Sequence, residues 1–118
     1  MKRPVLAANW KMNTGPMAAK AFMDAFLAGY PARSDRTIII FPPAVSLTTV
    51  ARAAAERSDV MAGIQNIHWA EKGAFTGEIS APMAKDEKGN GGNTGKRLTL
   101  AEYAGHRSMI VWACRARG

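Results

Sequence analysis

The chain has 118 residues, with 16 Lys and Arg against 9 Asp and Glu, which gives a net charge of +7. This length allows at most one domain or part of one, and a composition of 47% hydrophobic and 21% charged residues is typical of a globular protein and disfavours a wholly disordered chain. The single cysteine excludes an internal disulfide framework, and no apolar run is long enough for a secretory leader or a membrane span. We therefore expect a cytoplasmic protein that does not associate with membranes.

The charge and the composition change at about residue 84. Residues 1–84 carry nine basic and six acidic side chains, whereas residues 85–118 carry seven and three and hold six of the eleven glycines. All six prolines precede residue 85. We therefore predict an N-terminal domain part over residues 1–84 and a divergent, glycine-rich basic tail over residues 85–118. Disorder and a frameshift in the gene are two hypotheses for this tail.

The first strand and the first helix are marked by a change of apolar period. Residues 5–8 are an apolar run that predicts a buried strand, and its continuation puts Asn9 and Lys11 on one face, two residues apart. Pro16 stands near the first position of the following helix, where proline is tolerated, and Gly29 marks the end of that helix.

Two more strands and two more helices follow in alternation. Residues 37–41 are β-branched or apolar and predict the strongest strand of the chain, and residues 60–64 predict a third strand. A helix that begins near Ser46 lies between them, and Ser80 is placed to cap a further helix. This alternation predicts an α/β fold with a parallel sheet, either as a closed barrel or as an open, doubly wound sheet.

Three features suggest chemical sites but lack the required spacing. The glycine cluster at residues 89–96 departs from a phosphate-binding loop, because Lys96 is not followed by Ser or Thr, and it favours a flexible linker. His68 and His106 have no second ligand at a metal-binding spacing, so we expect neither a metal site nor a cofactor. Cys114 has no paired base in the sequence, and we assign it no catalytic role.

More specific patterns follow each of the three predicted strands. Residues 9–13 read Asn-Trp-Lys-Met-Asn, and residues 41–44 read Phe-Pro-Pro-Ala. Residues 63–69 read Gly-Ile-Gln-Asn-Ile-His-Trp and lead into Gly-Ala-Phe-Thr-Gly-Glu-Ile-Ser at residues 73–80. In this order and at these spacings, residues 1 to about 84 closely resemble triosephosphate isomerase.

The resemblance implies a (β/α)8 barrel of which the chain holds the first three strand-helix units, with the active site at the carboxyl ends of the strands. It also implies an isomerase of glycolysis and gluconeogenesis that interconverts dihydroxyacetone phosphate and glyceraldehyde 3-phosphate. By this resemblance Lys11 is catalytic and binds the substrate, since its ammonium stabilises negative charge in the transition state, and Asn9 binds substrate and orients Lys11. Gln65, Thr76 and Gly77 are implied as interface residues of a homodimer.

The acid/base groups of the family, a histidine and a glutamate, have no match in this sequence. Residues 105–106 read Gly-His but lack the continuation of the family's histidine motif, so the resemblance gives His106 no role. We therefore expect a truncated, incomplete barrel that is inactive alone.

Two alternatives concern the predicted tail. Residues 109–113 are apolar, so they are either a substitute strand that pairs with an open sheet edge or an accidental hydrophobic patch. The excess positive charge of residues 85–118 suggests, as an alternative function, a non-catalytic basic module that binds anionic partners such as nucleic acid. No recognised nucleic-acid motif supports binding of nucleic acid by this segment.

Overall fold

The computed structural model describes residues 4–86 and 109–113. The elements, in chain order, are β1 (Val5–Asn9), α1 (Pro16–Gly29), β2 (Thr37–Phe41), α2 (Ala44–Ala53), β3 (Val60–Ala62), α3 (Ala81–Asp86) and β4 (Met109–Ala113). The four strands form one sheet in the order β3-β2-β1-β4, and every pairing is parallel. The predicted α/β fold with a parallel sheet is confirmed.

The bounds of the elements follow the sequence signals closely, with three differences. The strand β1 extends to Asn9, one residue beyond the apolar run 5–8. The helix α1 runs from Pro16 to Gly29 as predicted, whereas α2 begins at Ala44, two residues before Ser46, directly after the extended Pro43. The strand β3 ends at Ala62 rather than at residue 64. Apolar character alone does not show where strand pairing ends, so this difference is one that the sequence could not reveal.

The short helix α3 has the predicted cap. Ser80 Oγ accepts a hydrogen bond from the backbone N–H of Met83 at 3.3 Å, which satisfies one of the unpaired amides of the first turn. None of the helices in the described part of the chain is long and apolar enough to cross a membrane.

The sheet buries apolar side chains on both faces. On the helical side, Trp10, Met23 and Val50 belong to one core cluster, against which α1 and α2 pack. On the opposite face, Ile39 and Phe41 of β2 form a second cluster with Ala7 of β1. Burial on both faces is the arrangement expected of a parallel sheet.

The apolar residues at positions 109–113 form β4 rather than an accidental patch. β4 pairs with the edge of β1 that β2 leaves open, from Val5 opposite Met109 to Asn9 opposite Ala113. The glycine cluster, His106 and Cys114 lie outside the described residues.

Candidate active site

The carboxyl ends of β1, β2 and β3 lie along one edge of the sheet because the three strands are parallel. Asn9 is the last residue of β1, Lys11 lies in the loop after it, and Gln65 lies in the loop after β3. The N–H of Trp10 donates to the carbonyl of Phe41 at 3.1 Å, so the loop after β1 stays attached to the end of β2. This edge therefore collects residues that are up to 56 positions apart in sequence.

The side chain of Asn9 closes a tight turn over Lys11. Its Oδ1 accepts a hydrogen bond from the backbone N–H of Lys11 at 2.9 Å, two residues further on, which is the pattern of an Asx turn. Lys11 has a φ of 55°, in the left-handed region that residues other than glycine seldom adopt. The two residues are thus brought together by a turn that a side chain closes, and not by the strand alternation on which the sequence prediction relied.

Gln65 holds this turn against the end of β2. Its Nε2 donates to the carbonyl oxygens of Lys11 and Phe41, each at 2.9 Å, and lies 3.5 Å from Asn9 Oδ1. An amide nitrogen carries two hydrogens, so the two shorter bonds use its full donor capacity. Gln65 was predicted at a dimer interface; within the chain its side-chain amide joins the ends of β1 and β2, and the interface role stays a prediction.

Two residues that sequence reasoning did not single out fix the rest of the loop. Asn13 Nδ2 donates to the carbonyl of Trp10 at 2.9 Å. Ser46 Oγ donates to the carbonyl of Thr14 at 2.7 Å, and Thr14 has a φ of 76°. Asn13 belongs to the recognised motif, whereas Ser46 carries no signal beyond being a hydroxyl residue in the first turn of a helix.

Trp10 anchors the loop in the core between Asn9 and Lys11. Its side chain is only 2% exposed, and its ring meets Phe22 of α1 edge to face, with the ring centroids 5.1 Å apart. The exposed Lys11 therefore follows directly on a residue that is fixed by packing.

Thr76 and Gly77 lie apart from this turn, in an exposed loop between β3 and α3. Gly77 has a φ of 87°, and the N–H of Glu78 donates to the carbonyl of Phe75 at 3.0 Å. His68 lies in the same loop, and its ring packs on that of Phe75 with centroids 4.2 Å apart. Within the described residues, neither Thr76 nor Gly77 hydrogen-bonds to the loop that carries Lys11.

The carboxylates with shifted pKa values lie at the opposite edge of the sheet. Asp59, which directly precedes β3, is buried and accepts two hydrogen bonds from Arg57, at 2.9 and 3.1 Å, and one from the N–H of Arg33 at 2.9 Å. The bonds from Arg57 lower the pKa of Asp59 to about 2, against the raising effect of burial. The exposed Asp35 likewise has its pKa lowered, chiefly by Arg33. Both carboxylates are partners in ion pairs that lie away from the candidate site.

Comparison with known proteins identifies the family to which this arrangement belongs. The sequence model of triosephosphate isomerase matches residues 4–92. The chain belongs to the triosephosphate isomerase family. The resemblance seen in residues 1 to about 84 is thereby confirmed, and the family match runs on to residue 92. The compositional boundary near residue 84 stays a prediction.

Individual triosephosphate isomerases are similar to this chain over different lengths. The enzyme of Parasynechococcus marenigrum is 50% identical over 84 residues, which are 70% of this chain and 34% of that protein. The enzyme of Acetivibrio thermocellus is 48% identical over 84 residues, 70% of this chain and 33% of that protein. The enzyme of Rubrobacter xylanophilus is 43% identical over 110 residues, 92% of this chain and 40% of that protein. The chain thus spans a third to two fifths of the length of these curated relatives.

Proposed function

We propose that this chain supplies the first-strand part of a triosephosphate isomerase active site, and that Lys11 is its substrate-binding and charge-stabilising group. The observation that carries the proposal is the turn at the carboxyl end of β1, where Asn9 and Gln65 hold the backbone of Lys11 by hydrogen bonds of 2.9 Å. The substrate is a phosphorylated triose, interconverted between dihydroxyacetone phosphate and glyceraldehyde 3-phosphate.

The chemistry of Lys11 follows from its charge and its fixed backbone. An ammonium held beside the substrate binds the phosphate and the carbonyl oxygen, and it stabilises the negative charge of an enediolate-like transition state. A backbone fixed before the substrate arrives needs little reorganisation during the reaction. Asn9 contributes by closing the turn, and by a polar contact to the substrate.

We also propose that the 118-residue polypeptide does not turn over substrate alone. Isomerisation moves a proton between neighbouring carbons, which requires a general base and an electrophile besides the lysine. The resemblance assigns no residue of this chain the role of the family's glutamate or of its histidine. We also propose a cytoplasmic location, because a chain with a single cysteine fits a reducing compartment.

We further propose that the protein forms a homodimer. Trp69 and Phe75 of the loop between β3 and α3 are exposed, at 85% and 41%, beside the predicted interface residues Thr76 and Gly77. Exposed apolar side chains of this size support an interface with a second copy. The alternative of a basic nucleic-acid-binding module is not proposed, because no recognised nucleic-acid motif accompanies the positive charge of residues 85–118.

The test uses two measurements on the purified 118-residue chain. A coupled assay with dihydroxyacetone phosphate is expected to show no turnover, and titration with the same compound is expected to show binding that Lys11→Ala abolishes. Lys20→Ala is the matched control, because Lys20 is an exposed lysine of α1 that pairs with Asp24 at 2.8 Å. Turnover that depends on Lys11 would contradict the proposed inactivity, and equal binding by the Lys11→Ala and Lys20→Ala variants would contradict the role of Lys11.

A further inference from the structure

A buried hydroxyl connects the loop that carries Lys11 to the helix α2. Ser46 lies in the first turn of α2 with its side chain fully buried, and its Oγ donates a hydrogen bond to the carbonyl oxygen of Thr14 at 2.7 Å, 32 residues away in sequence. We propose that Ser46 is a positioning residue for Lys11 and acts through Thr14. The inference rests on the proposed function for the role of the Lys11 ammonium in binding substrate. The part that concerns the conformation of the loop does not depend on it.

Thr14 has a backbone conformation that requires support. Its φ of 76° lies in the left-handed region, which is strongly disfavoured for a β-branched residue. Such conformations persist only where surrounding contacts determine them. The hydrogen bond from Ser46 is the contact that fixes the carbonyl of Thr14, and this carbonyl immediately precedes Gly15 and the start of α1 at Pro16.

The fixed carbonyl limits where Lys11 can lie. At the other end of the loop Trp10 is buried in the core, and its carbonyl accepts the hydrogen bond from Asn13 Nδ2 at 2.9 Å. The residues between Trp10 and Thr14 are thus held at both ends, with Lys11 itself at a positive φ. Release of Thr14 frees one end of this short segment, and Asn9 and Gln65 alone then restrain Lys11 in its left-handed conformation.

The hydroxyl of Ser46 hydrogen-bonds to the loop and not to its own helix. The residue at the N-cap of α2 is Pro43, which makes no side-chain hydrogen bond, and the backbone N–H of Ser46 already donates to the carbonyl of Pro43 at 2.9 Å. The side chain therefore completes no capping pattern within α2. Within the described part of the chain, its hydroxyl hydrogen-bonds out of the helix, to Thr14.

The test compares four variants of the full chain. Ser46→Ala removes the hydroxyl, whereas Ser46→Thr keeps one at the same position. Thr48→Ala is the matched control, since it removes a hydroxyl two residues along the same helix that has no hydrogen bond to the loop. The double variant Ser46→Ala/Thr14→Asn tests the mechanism, because asparagine tolerates the left-handed region without the same support.

Two measurements separate the inference from the proposed function. The three-bond HN–Hα coupling of the residue at position 14 and the amide chemical shift of Lys11 report the loop conformation without any ligand. Titration with dihydroxyacetone phosphate reports the use of Lys11. We expect Ser46→Ala to change both NMR signals and to weaken binding by about tenfold, the size of one lost hydrogen bond. Ser46→Thr and the double variant are expected to restore them, and Thr48→Ala to leave them unchanged.

The outcomes decide the two statements independently. If a folded Ser46→Ala variant keeps the Thr14 coupling, the Lys11 shift and the affinity of the Thr48→Ala control, Ser46 has no positioning role. If Ser46→Ala changes the NMR signals but the Thr14→Asn substitution restores nothing, transmission through Thr14 is wrong. Absence of binding by the parent chain would contradict the proposed function, while the NMR signals would still decide whether Ser46 fixes the loop.

Discussion

The side-chain amide of Gln65 donates a hydrogen bond to the carbonyl oxygen of Lys11 at 2.9 Å, across 54 residues of sequence. A second bond of 2.9 Å to the carbonyl of Phe41 uses its other hydrogen. The conformation of Lys11 therefore depends on a donor from the loop after β3. A change that removes this donor breaks the hydrogen bond to the carbonyl of Lys11 and one of those to the carbonyl of Phe41, which still accepts from the N–H of Trp10.

Gln65→Glu tests this dependence with a side chain of the same shape. A carboxylate has no hydrogen to donate, so at neutral pH we expect a loss of about 1–3 kcal/mol in the free energy of unfolding, measured by urea denaturation. Lowering the pH toward protonation of Glu should recover part of the loss, because the neutral carboxyl donates one hydrogen bond. Asn66→Ala, an exposed neighbour, is the control. Equal stability of the two variants at neutral pH would show that the amide bonds contribute nothing.

The ion pair between Asp59 and Arg57 predicts a loss of stability in acid. The pKa of Asp59 is lowered from 3.8 to about 2 in the folded chain, so its contribution is present above about pH 4 and is lost as the pH falls through 2. The shift corresponds to a stabilisation on the order of 2 kcal/mol at neutral pH. Asp59→Asn should show this loss in urea at pH 7, and the difference from the parent should vanish in strong acid.

The exposed pair of Asp35 and Arg33 is the comparison for Asp59. Their Oδ1 and Nε lie 2.8 Å apart, but both side chains are about half exposed, so solvent screens the interaction. Asp35→Asn should therefore lower the free energy of unfolding far less than Asp59→Asn does. A loss for Asp35→Asn as large as for Asp59→Asn would contradict the importance of burial.

The fold could be predicted from the sequence to the extent that burial determines it. The apolar run of β2 predicted a strand with the right bounds and that of β1 a strand one residue too short, and Pro16 and Gly29 predicted both ends of α1, because these signals act locally. The partners of each strand depend on contacts that no local pattern contains. The pairing of β4 with β1 is such a contact, and the sequence left it open.

The candidate site could be predicted only in part, for a related reason. Asn9 and Lys11 were found because they belong to a recognisable motif. The role of Ser46 depends on a positive φ at Thr14, and local propensity argues against that conformation for a β-branched residue. A tertiary hydrogen bond overrides the local preference at Thr14, so the sequence alone could not identify Ser46 as its partner.

Two glycines of the exposed loop are expected to tolerate substitution differently. A Cβ on Gly77 would meet no atom within 4 Å, so the cost of Gly77→Ala is that of its φ of 87°, about 1–2 kcal/mol. A Cβ on Gly73 would lie 2.9 Å from the ring of Phe75, and its φ is also positive, so Gly73→Ala should cost more. Gly77→Asn should cost less than Gly77→Ala. Urea unfolding of the three variants checks this order, and a neutral Gly77→Ala would be contrary to the loop conformation.

The pairing of β4 with β1 can be tested by placing proline at neighbouring positions. In a strand, the backbone N–H and C=O groups of successive residues point alternately to the two neighbouring strands. The carbonyl of Pro4 and the N–H of Trp10 form hydrogen bonds with β2. The backbone groups of Val5, Ala7 and Asn9 therefore point to β4. The register, with Val5 opposite Met109, then directs the N–H of Ile110 to β1 and that of Val111 away from it. Proline is tolerated in an edge strand where the missing N–H faces away from the sheet.

Ile110→Pro is therefore expected to break a bond of the ladder that Val111→Pro leaves intact. Amide hydrogen exchange, followed by NMR in the full chain, should show lost protection at Ala7 and Asn9 in Ile110→Pro and retained protection in Val111→Pro. The amides of Leu6 and Ala8, which face β2, should stay protected in both variants and serve as the internal control. If Ala7 and Asn9 exchange at the same rate in both variants and in the parent chain, β4 does not stabilise the edge of β1.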